Sequence, residues 1–279
     1  ANQVKLPYSV GLIWSNCSTI ENITNNYNLA DIFWWRRTTE QILDDMNEPS
    51  VVGFSCFVWN WNNNIEIAKR IKERWPKCLI VFGGWQVPMS DRIQGFFHKY
   101  PFVDIAVHGE GELSFAEILE ENLKDFQEWE KLKGCSIPYK MVADKKVKNR
   151  TIDFGLRIKK EFDNPGYNLN DTYTAPPRPR IENLSAMPSP YLDGLFDNLI
   201  EGCEYELEAT FETTRGCPYS CTYCEIGTKY YQKVKTHKLD KVFAEIDWMA
   251  KNKVVFVYNA DSNFGMMKDH LKITKYLVN

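Results

Sequence analysis

Between Glu204 and Thr213 apolar and polar positions alternate. Tyr205, Leu207, Ala209, Phe211 and Thr213 share one face, and Glu204, Glu206, Glu208, Thr210 and Glu212 the other. A period of two predicts a half-buried strand. Farther on, Val242, Phe243, Ile246 and Met249 recur at helical spacing within Leu239–Ala250. Val254–Tyr258 reads as a second strand, and Leu271–Asn279 belongs to the strand–helix unit it opens. Residues 1 to 125 also alternate between strand and helix. Strands are predicted at Ser9–Trp14, Val51–Ser55, Cys78–Phe82 and Val103–Val107. Helices are predicted at Leu29–Met46, through Ile65, Ala68, Ile71 and Trp75, and at Leu113–Leu123. These strands are nearly continuous apolar runs, as expected for a parallel sheet covered on both faces. Helices between them imply right-handed crossovers and a doubly wound α/β fold.

The middle of the chain has a weaker pattern. Cys135–Val142 and Val147–Ile152 flank an Asp144-Lys145-Lys146 turn, which suggests a hairpin. Asp163 to Arg180 is polar and runs through Pro176-Pro177-Arg178-Pro179, a linker signal. The expected organisation is an α/β domain over 1–130, a hairpin and Pro-rich linker over 131–200, and a second α/β segment over 201–279. The length of 279 residues allows about two domains. A hydrophobic content of 44% and a charged content of 25% are ordinary for a globular chain. The net charge of −3 argues against a broad nucleic-acid footprint. No apolar run approaches the ~20 residues of a membrane span. The start, Ala1-Asn2-Gln3-Val4-Lys5, has no apolar signal core. Eight cysteines, three of them closely spaced, fit a reducing compartment better than a disulfide scaffold, so cytoplasm is expected. The aromatic clusters at Phe33-Trp34-Trp35 and at Phe57, Trp59 and Trp61 are read mainly as packing.

The chemistry lies after the alternating strand. Cys217, Cys221 and Cys224 form C-x3-C-x2-C within Thr214-Arg215-Gly216-Cys217-Pro218-Tyr219-Ser220-Cys221-Thr222-Tyr223-Cys224. Three thiolates at this spacing can hold three irons of a 4Fe–4S cluster and leave the fourth open, whereas a four-cysteine cluster has no free position. Zinc usually wants paired C-x2-C elements and four ligands, and Cys203, the nearest other cysteine, falls toward the opposite end of the strand. Gly216 and Pro218 force a sharp loop between a strand and a helix. That is the face where parallel α/β folds place their chemistry.

Here the chain resembles the radical S-adenosylmethionine (SAM) superfamily, whose signature is this triplet after the first strand of a partial (β/α)6 barrel. The resemblance implies that Cys217, Cys221 and Cys224 hold the cluster and that the backbone of Tyr223 lies against the adenine of SAM. It also places Asp261 and Asn263 where a polar motif binds the methionyl amino group, although the sequence there is not the commoner Gly-Gly-Glu form. Only two strand–helix units of that barrel are present, so the strands that would face ribose and substrate are missing, and a sheet edge is expected to be uncovered.

Three loops of the N-terminal half fall at carboxyl ends of predicted strands, where open α/β sheets bind ligands. They are Ser55-Cys56-Phe57-Val58-Trp59-Asn60, Gly83-Gly84-Trp85-Gln86-Val87-Pro88 and His108-Gly109-Glu110-Gly111-Glu112. Their glycines allow close approach to a large ligand, and the acidic residues after Gly109 equally suit the first turn of a helix. Together they resemble the cobalamin-binding domain that precedes the barrel in one large radical SAM subgroup, the class B methylases. Ile181-Glu182-Asn183-Leu184-Ser185-Ala186-Met187-Pro188-Ser189-Pro190-Tyr191-Leu192 resembles its connector. The likeness covers most of residues 8–125 and 181–265. It implies cobalamin contacts from Ser55, Cys56, Trp59, Asn60, Gly83, Gly84, Trp85, Gln86, His108, Gly109, Glu110 and Gly111. The D-x-H-x-x-G motif that supplies an axial histidine in other cobalamin proteins is absent, so no protein imidazole is expected on cobalt. Some members with this domain do not use cobalamin. His108 is read either as a ring contact or as a histidine that satisfies the loop.

Methylthiotransferases, which carry a second cluster on such a domain, are excluded by position. Cys17 and Cys56 follow predicted strands, but Cys78 begins one, and a five-residue strand is roughly 17 Å long. These three are read as small buried hydrophobes. The resemblance implies the following activity. One electron cleaves SAM to a 5′-deoxyadenosyl radical, the radical takes a hydrogen from substrate, and cobalamin delivers a methyl group to an unactivated carbon. It further implies an electron donor of the flavodoxin or ferredoxin type and a small-molecule or peptide substrate that the sequence does not identify. The alternatives are a non-methylating radical rearrangement or cyclisation, and a cofactor-binding fragment without turnover.

Overall fold

The computed structural model describes residues 3–142 and 172–278. In chain order the strands are β1 (Gln3–Lys5), β2 (Val51–Ser55), β3 (Leu79–Gly83), β4 (Ile105–Val107), β5 (Cys135–Pro138), β6 (Thr172–Thr174), β7 (Glu206–Phe211), β8 (Thr214–Arg215), β9 (Lys235–Thr236) and β10 (Phe256–Asn259). The chain divides into two compact units, Ile20–Pro179 and Ala1–Thr19 joined with Arg180–Asn279. The first residues and the 180–200 stretch therefore pack in the same unit as the cysteine loop. Among the described residues no helix is long and apolar enough to cross a membrane.

Unit Ile20–Pro179 is an α/β unit built on a five-stranded sheet in the order β2-β3-β4-β5-β6. The first three strands are parallel, in register from Val51↔Leu79 to Ser55↔Gly83 and at Val81↔Ile105. β5 and β6 add antiparallel. The unbroken apolar run of β3 is explained by its two faces. Ile80 and Phe82 join a cluster with Ala68 and Ile71 of the Trp61–Arg74 helix and with Phe96 and Phe97. Leu79 and Val81 join a second cluster with Ile105, Ile118, Trp129 and Ile137. Successive right-handed crossovers that step the same way along a sheet lie on one face. The helices between β2, β3 and β4 accordingly cover the first face, and Glu112–Asn122, which leads to the antiparallel edge, carries Ile118 to the other.

Two expectations here are corrected. Leu29–Met46 is not one helix. Only Thr39–Asp45 is helical, beginning at a capping box in which Thr38 and Gln41 exchange side-chain-to-backbone hydrogen bonds. The aromatics before it pack irregularly, with Trp34 edge-on to Trp35 at 5.2 Å and the Arg37 guanidinium 4.7 Å from the Trp35 ring. The hairpin is also replaced. β5 is its first arm, but residues 139–142 turn helical and β5 pairs with Thr172–Thr174. The predicted second arm, Val147–Ile152, and the start of the polar linker lie outside the described residues.

In the other unit β7 is the middle of a three-stranded parallel sheet, β1-β7-β10. Its predicted alternation is observed, with Leu207, Ala209 and Phe211 buried. The Leu239–Lys251 helix crosses from β7 to β10 and buries Val242, Ile246 and Met249, and Lys268–Val278 follows β10. The predicted strand Ser9–Trp14 is instead part of a helix, Tyr8–Cys17, which buries Tyr8, Leu12 and Ser15 at helical spacing. A short apolar run does not distinguish strand from buried helix. The strand of this region is the polar Gln3–Lys5, paired with Glu206–Glu208.

Tyr191 of the connector centres this core. It stacks on Tyr8 at 5.7 Å and meets Phe196 at 4.9 Å and Trp248 at 5.0 Å. Its hydroxyl donates to Thr210 O at 2.5 Å and accepts from Thr210 N at 3.2 Å. Tyr191→Phe keeps the ring and leaves that backbone pair short of a partner. We expect a loss of about 1–2 kcal/mol in urea unfolding, and unchanged stability would show that the hydroxyl is dispensable.

His108, after β4, is held by Ser136 Oγ at 2.7 Å from Nε2, and Ser136 Oγ in turn meets Thr174 Oγ1 at 2.8 Å. Burial lowers the imidazole from 6.5 to about 4. The native state therefore keeps this ring neutral while the unfolded chain takes up a proton below about pH 6.5. Stability is full above that value and falls as pH drops toward about 4, by roughly 2–3 kcal/mol from this group. His108→Gln should flatten that part of the pH dependence in urea titrations. An unaltered slope would assign it to other groups.

Candidate functional site

The cysteine loop leaves the carboxyl end of β7 and is closed at its neck by a two-residue ribbon. Thr214 pairs with Thr236 and Arg215 with Lys235, antiparallel. Inside the neck Cys217 N donates to Tyr231 O at 2.9 Å. Arg180 clamps the same place from the connector, donating to Lys233 O at 2.6 Å and to Arg215 O at 2.9 Å. Gly216 is required at the crossing. Its φ is 116°, and a Cβ there would lie 2.7 Å from Tyr231 O and 2.8 Å from Lys233 O. Arg215 is fixed by Glu212, whose carboxylate accepts from its guanidinium at 2.8 Å. Burial would push that carboxyl up, but Arg215 and nearby His237 outweigh it and hold it at about 2.

The three cysteines differ in access. Cys217 is 8% exposed, Cys224 is half-buried and Cys221 is exposed. Cys224 N donates to Cys221 O at 3.1 Å, so those two share one turn. Tyr223, between them, is 90% exposed. Among the described residues no three His, Cys, Asp or Glu side chains meet as a single-ion site. A cubane gives each thiolate a different iron, so its ligands need not meet at a point. The donor set fits such a group, with three unpaired cysteines on one loop whose base is fixed and whose tip is open. Cys17, Cys56, Cys78 and Cys135 are unlike them. Burial pushes their thiols up to about 12, 12, 11 and 12, as expected for packing groups. Cys17 closes a helix instead of following a strand, and Cys56 and Cys78 are buried hydrophobes.

The loop after β10 meets the base of the cysteine loop. Asp261 is turned inward. Its carboxylate accepts from Thr213 N at 2.7 Å, from Thr214 N at 2.9 Å and from the Thr213 hydroxyl. His270 Nε2 lies 3.5 Å from it. Asn263 turns its amide to the first cysteine, with Nδ2 3.0 Å from Cys217 Sγ. The sequence puts this loop after the second strand of the unit, and the structure brings it to the base of the cysteine loop. Arg180, Thr213 and His270 are not singled out by the sequence. None of them belongs to a motif, and the contacts that reveal them join distant parts of the chain.

In the other unit the loops after β2, β3 and β4 lie together at the carboxyl edge. Cys56 N donates to Gly83 O at 2.7 Å and Gln86 N to Cys56 O at 3.1 Å. Gly84 permits this, with φ 101° and no room for a Cβ, which would lie 2.7 Å from Cys56 O. Asn60 shapes its own loop, accepting from Phe57 N at 2.8 Å and donating to Ser55 O at 2.8 Å. Trp59 is 76% exposed with its ring stacked on Phe57 at 4.7 Å, and Trp85 is 50% exposed. Gly109 has φ 74°, Gly111 caps the following helix and Glu110 is buried. His108 is engaged through Nε2 by Ser136 Oγ, and its Nδ1 is buried without a hydrogen-bond partner among the described residues.

No protein-family model matches the chain. Among curated proteins it is 31% identical over 275 residues to the cobalamin-dependent radical SAM methyltransferase TokK of Streptomyces tokunonensis. It is 29% identical over 277 residues to the 2-(S-pantetheinyl)-carbapenam-3-carboxylate methyltransferase of Streptantibioticus cattleyicolor. Each match takes in 98% of this chain but 36% of the relative, so the chain spans about a third of their length. Among solved structures, the cobalamin-dependent SAM radical enzyme OxsB with aqua-cobalamin and SAM bound matches 99% of the chain and 34% of its own, at TM-score 0.59 and 17% identity. The radical SAM methyltransferase TsrM of Kitasatospora setae with cobalamin and a [4Fe-4S] cluster bound matches 97% of the chain and 50% of its own, at TM-score 0.60 and 14% identity. At those identities the structural likeness speaks for the fold. Taken with the curated relatives and the triplet on its clamped loop, it places this chain in the cobalamin-binding-domain-containing radical SAM superfamily.

Proposed function

We propose that this chain is the cobalamin-binding portion and the first part of the catalytic barrel of a radical SAM methyltransferase acting on an unactivated carbon. The observation that carries the reading is the Cys217–Cys221–Cys224 loop at the carboxyl end of a parallel strand, fixed at its neck and open at its tip. Cys217, Cys221 and Cys224 would each hold one iron of a 4Fe–4S cluster. When bound and reduced by a carrier of the flavodoxin or ferredoxin type, that cluster supplies the electron that cleaves SAM to a 5′-deoxyadenosyl radical. The residues of the chain bind, orient and exclude water. The backbone of Tyr223 would lie along the adenine, and the Asn259–Gly265 loop, which carries Asp261 and Asn263, would flank the methionyl end.

The loops at Ser55–Asn60, Gly83–Gln86 and His108–Gly111 suit a broad, flat macrocycle. Gly84 lets two of them press together, and Trp59 and Trp85 offer exposed apolar surface. Cobalamin held there supplies a methyl group. The engagement of His108 with Ser136 fits binding without a protein imidazole on cobalt.

Cys221→Ala should abolish cluster assembly under anaerobic reconstitution. The readout is the visible and EPR spectrum with iron and sulfide per chain, and an intact 4Fe–4S spectrum would remove Cys221 from the ligand set. Paired replacement Trp59→Ala with Trp85→Ala should weaken cobalamin binding about tenfold or more, given about 1 kcal/mol or more per buried aromatic contact. Unchanged cobalamin retention would move the corrin elsewhere. In the full-length enzyme, label should pass from methyl-labelled SAM to product. Formation of 5′-deoxyadenosine without label transfer would favour a radical rearrangement or cyclisation, and absence of both would leave a cofactor-binding module.

A further inference from the structure

We propose that Asn263 donates a hydrogen bond to the Cys217 sulfur and thereby raises the reduction potential of the cluster, with Thr213, Asp261 and His270 acting as positioning residues. The inference rests on reading the triplet as a cluster site. Asn263 reaches Cys217 from 46 positions along the chain, with 3.0 Å from Nδ2 to Sγ. An amide donates without carrying charge, so it favours negative charge on sulfur without adding a counter-ion. Each reduction of a cluster adds one negative charge, which spreads over its thiolate ligands. A donor aimed at one of them stabilises the reduced form more than the oxidised form.

The bracket around Asn263 is nearly complete. On one side Asp261 holds Thr213 N and Thr214 N, and its own N–H donates to Asn259 Oδ1 at 2.7 Å. On the other side Gly265 N donates to His270 Nδ1 at 2.6 Å, and Met267 N approaches the same atom at 3.4 Å. With Nδ1 accepting, the hydrogen of the ring sits on Nε2, which faces Thr213 Oγ1 at 3.2 Å and the Asp261 carboxylate at 3.5 Å. The Phe264 ring stacks on His270 at 4.5 Å and 12°. Asp261, Phe264, Gly265 and Met267 are thus all engaged, and the amide between them is directed at Cys217. The inner side of the bracket is buried, with Thr213 and His270 both 2% exposed, while Phe264 is 39% exposed. In the redox step one electron passes from the reductant to the cluster, and the hydrogen bond shortens without transfer of its proton.

The test uses the full-length protein, loaded anaerobically with iron and sulfide and titrated with dithionite under EPR. Asn263→Leu should retain iron and sulfide but shift the potential downward by about tenfold in the redox equilibrium, 59 mV for one electron. Asn263→Gln, which keeps an amide, should recover part of the shift. His270→Phe should lower the potential in the same direction, because it preserves the ring but releases Gly265. Selective 15N-asparagine labelling should also give a 15N coupling to the reduced cluster of the unsubstituted protein. That measurement decides the matter if Asn263→Leu fails to load iron, since no coupling overturns the inference. An unchanged potential in a loaded Asn263→Leu variant also overturns it, the more so if SAM affinity falls instead. Failure of the unsubstituted protein to form any cluster would refute the cluster reading itself.

Discussion

The carboxylate of Asp261 ties the exit of one parallel strand to the exit of the next, and the geometry of the cysteine loop depends on that tie. A carboxylate that accepts two backbone N–H groups and a hydroxyl in a dry site is a strong, directional fastener. It sets where Thr213 and Thr214 leave β7. The ribbon of Thr214–Arg215 with Lys235–Thr236 then sets where the loop returns. Arg180 seals the same neck from the connector by holding two carbonyls that the short ribbon leaves available. A long loop with little regular structure of its own is thereby positioned by its base, while its tip stays exposed.

The two units place their loops by the same physics. In each, parallel strands end on one edge and the segments that follow them converge there. In Ile20–Pro179 the convergence depends on Gly84, since any side chain at that position would meet the Cys56 backbone. The ring pair of Phe57 and Trp59 gives the edge a flat apolar face. Asn60 shapes its own loop through Phe57 N and Ser55 O, and His108 is tied through Nε2 to Ser136 of the sheet.

How much of this was legible in the sequence follows from how local each signal is. Val51–Ser55 was read to the residue, because its apolar run is short and sharply bounded. The alternation of β7 and the 3.6 period of the 239–251 helix were likewise legible. Ser9–Trp14 misled because a run of five apolar residues is compatible with either element, and packing against Phe196 and Tyr191 decides for helix. Leu29–Met46 misled because apolar spacing through the tryptophans imitates a helix that begins only at the capping box of Thr38. At the site, the triplet declared itself by spacing. Asn263 was noticed for a different task, and His270 carried no signal, since its role exists only where β7 and β10 lie side by side.

The pairing of Gln3–Lys5 with Glu206–Glu208 makes the unit that holds the cysteine loop discontinuous along the chain. During synthesis on the ribosome the opening strand has no partner until some two hundred later residues have emerged. Ile20–Pro179, a compact unit whose sheet is built from its own strands, is synthesised in the meantime. The cysteine loop would thus take its place only after β7 has joined a strand synthesised long before it, and contacts so far apart in sequence are slow to form.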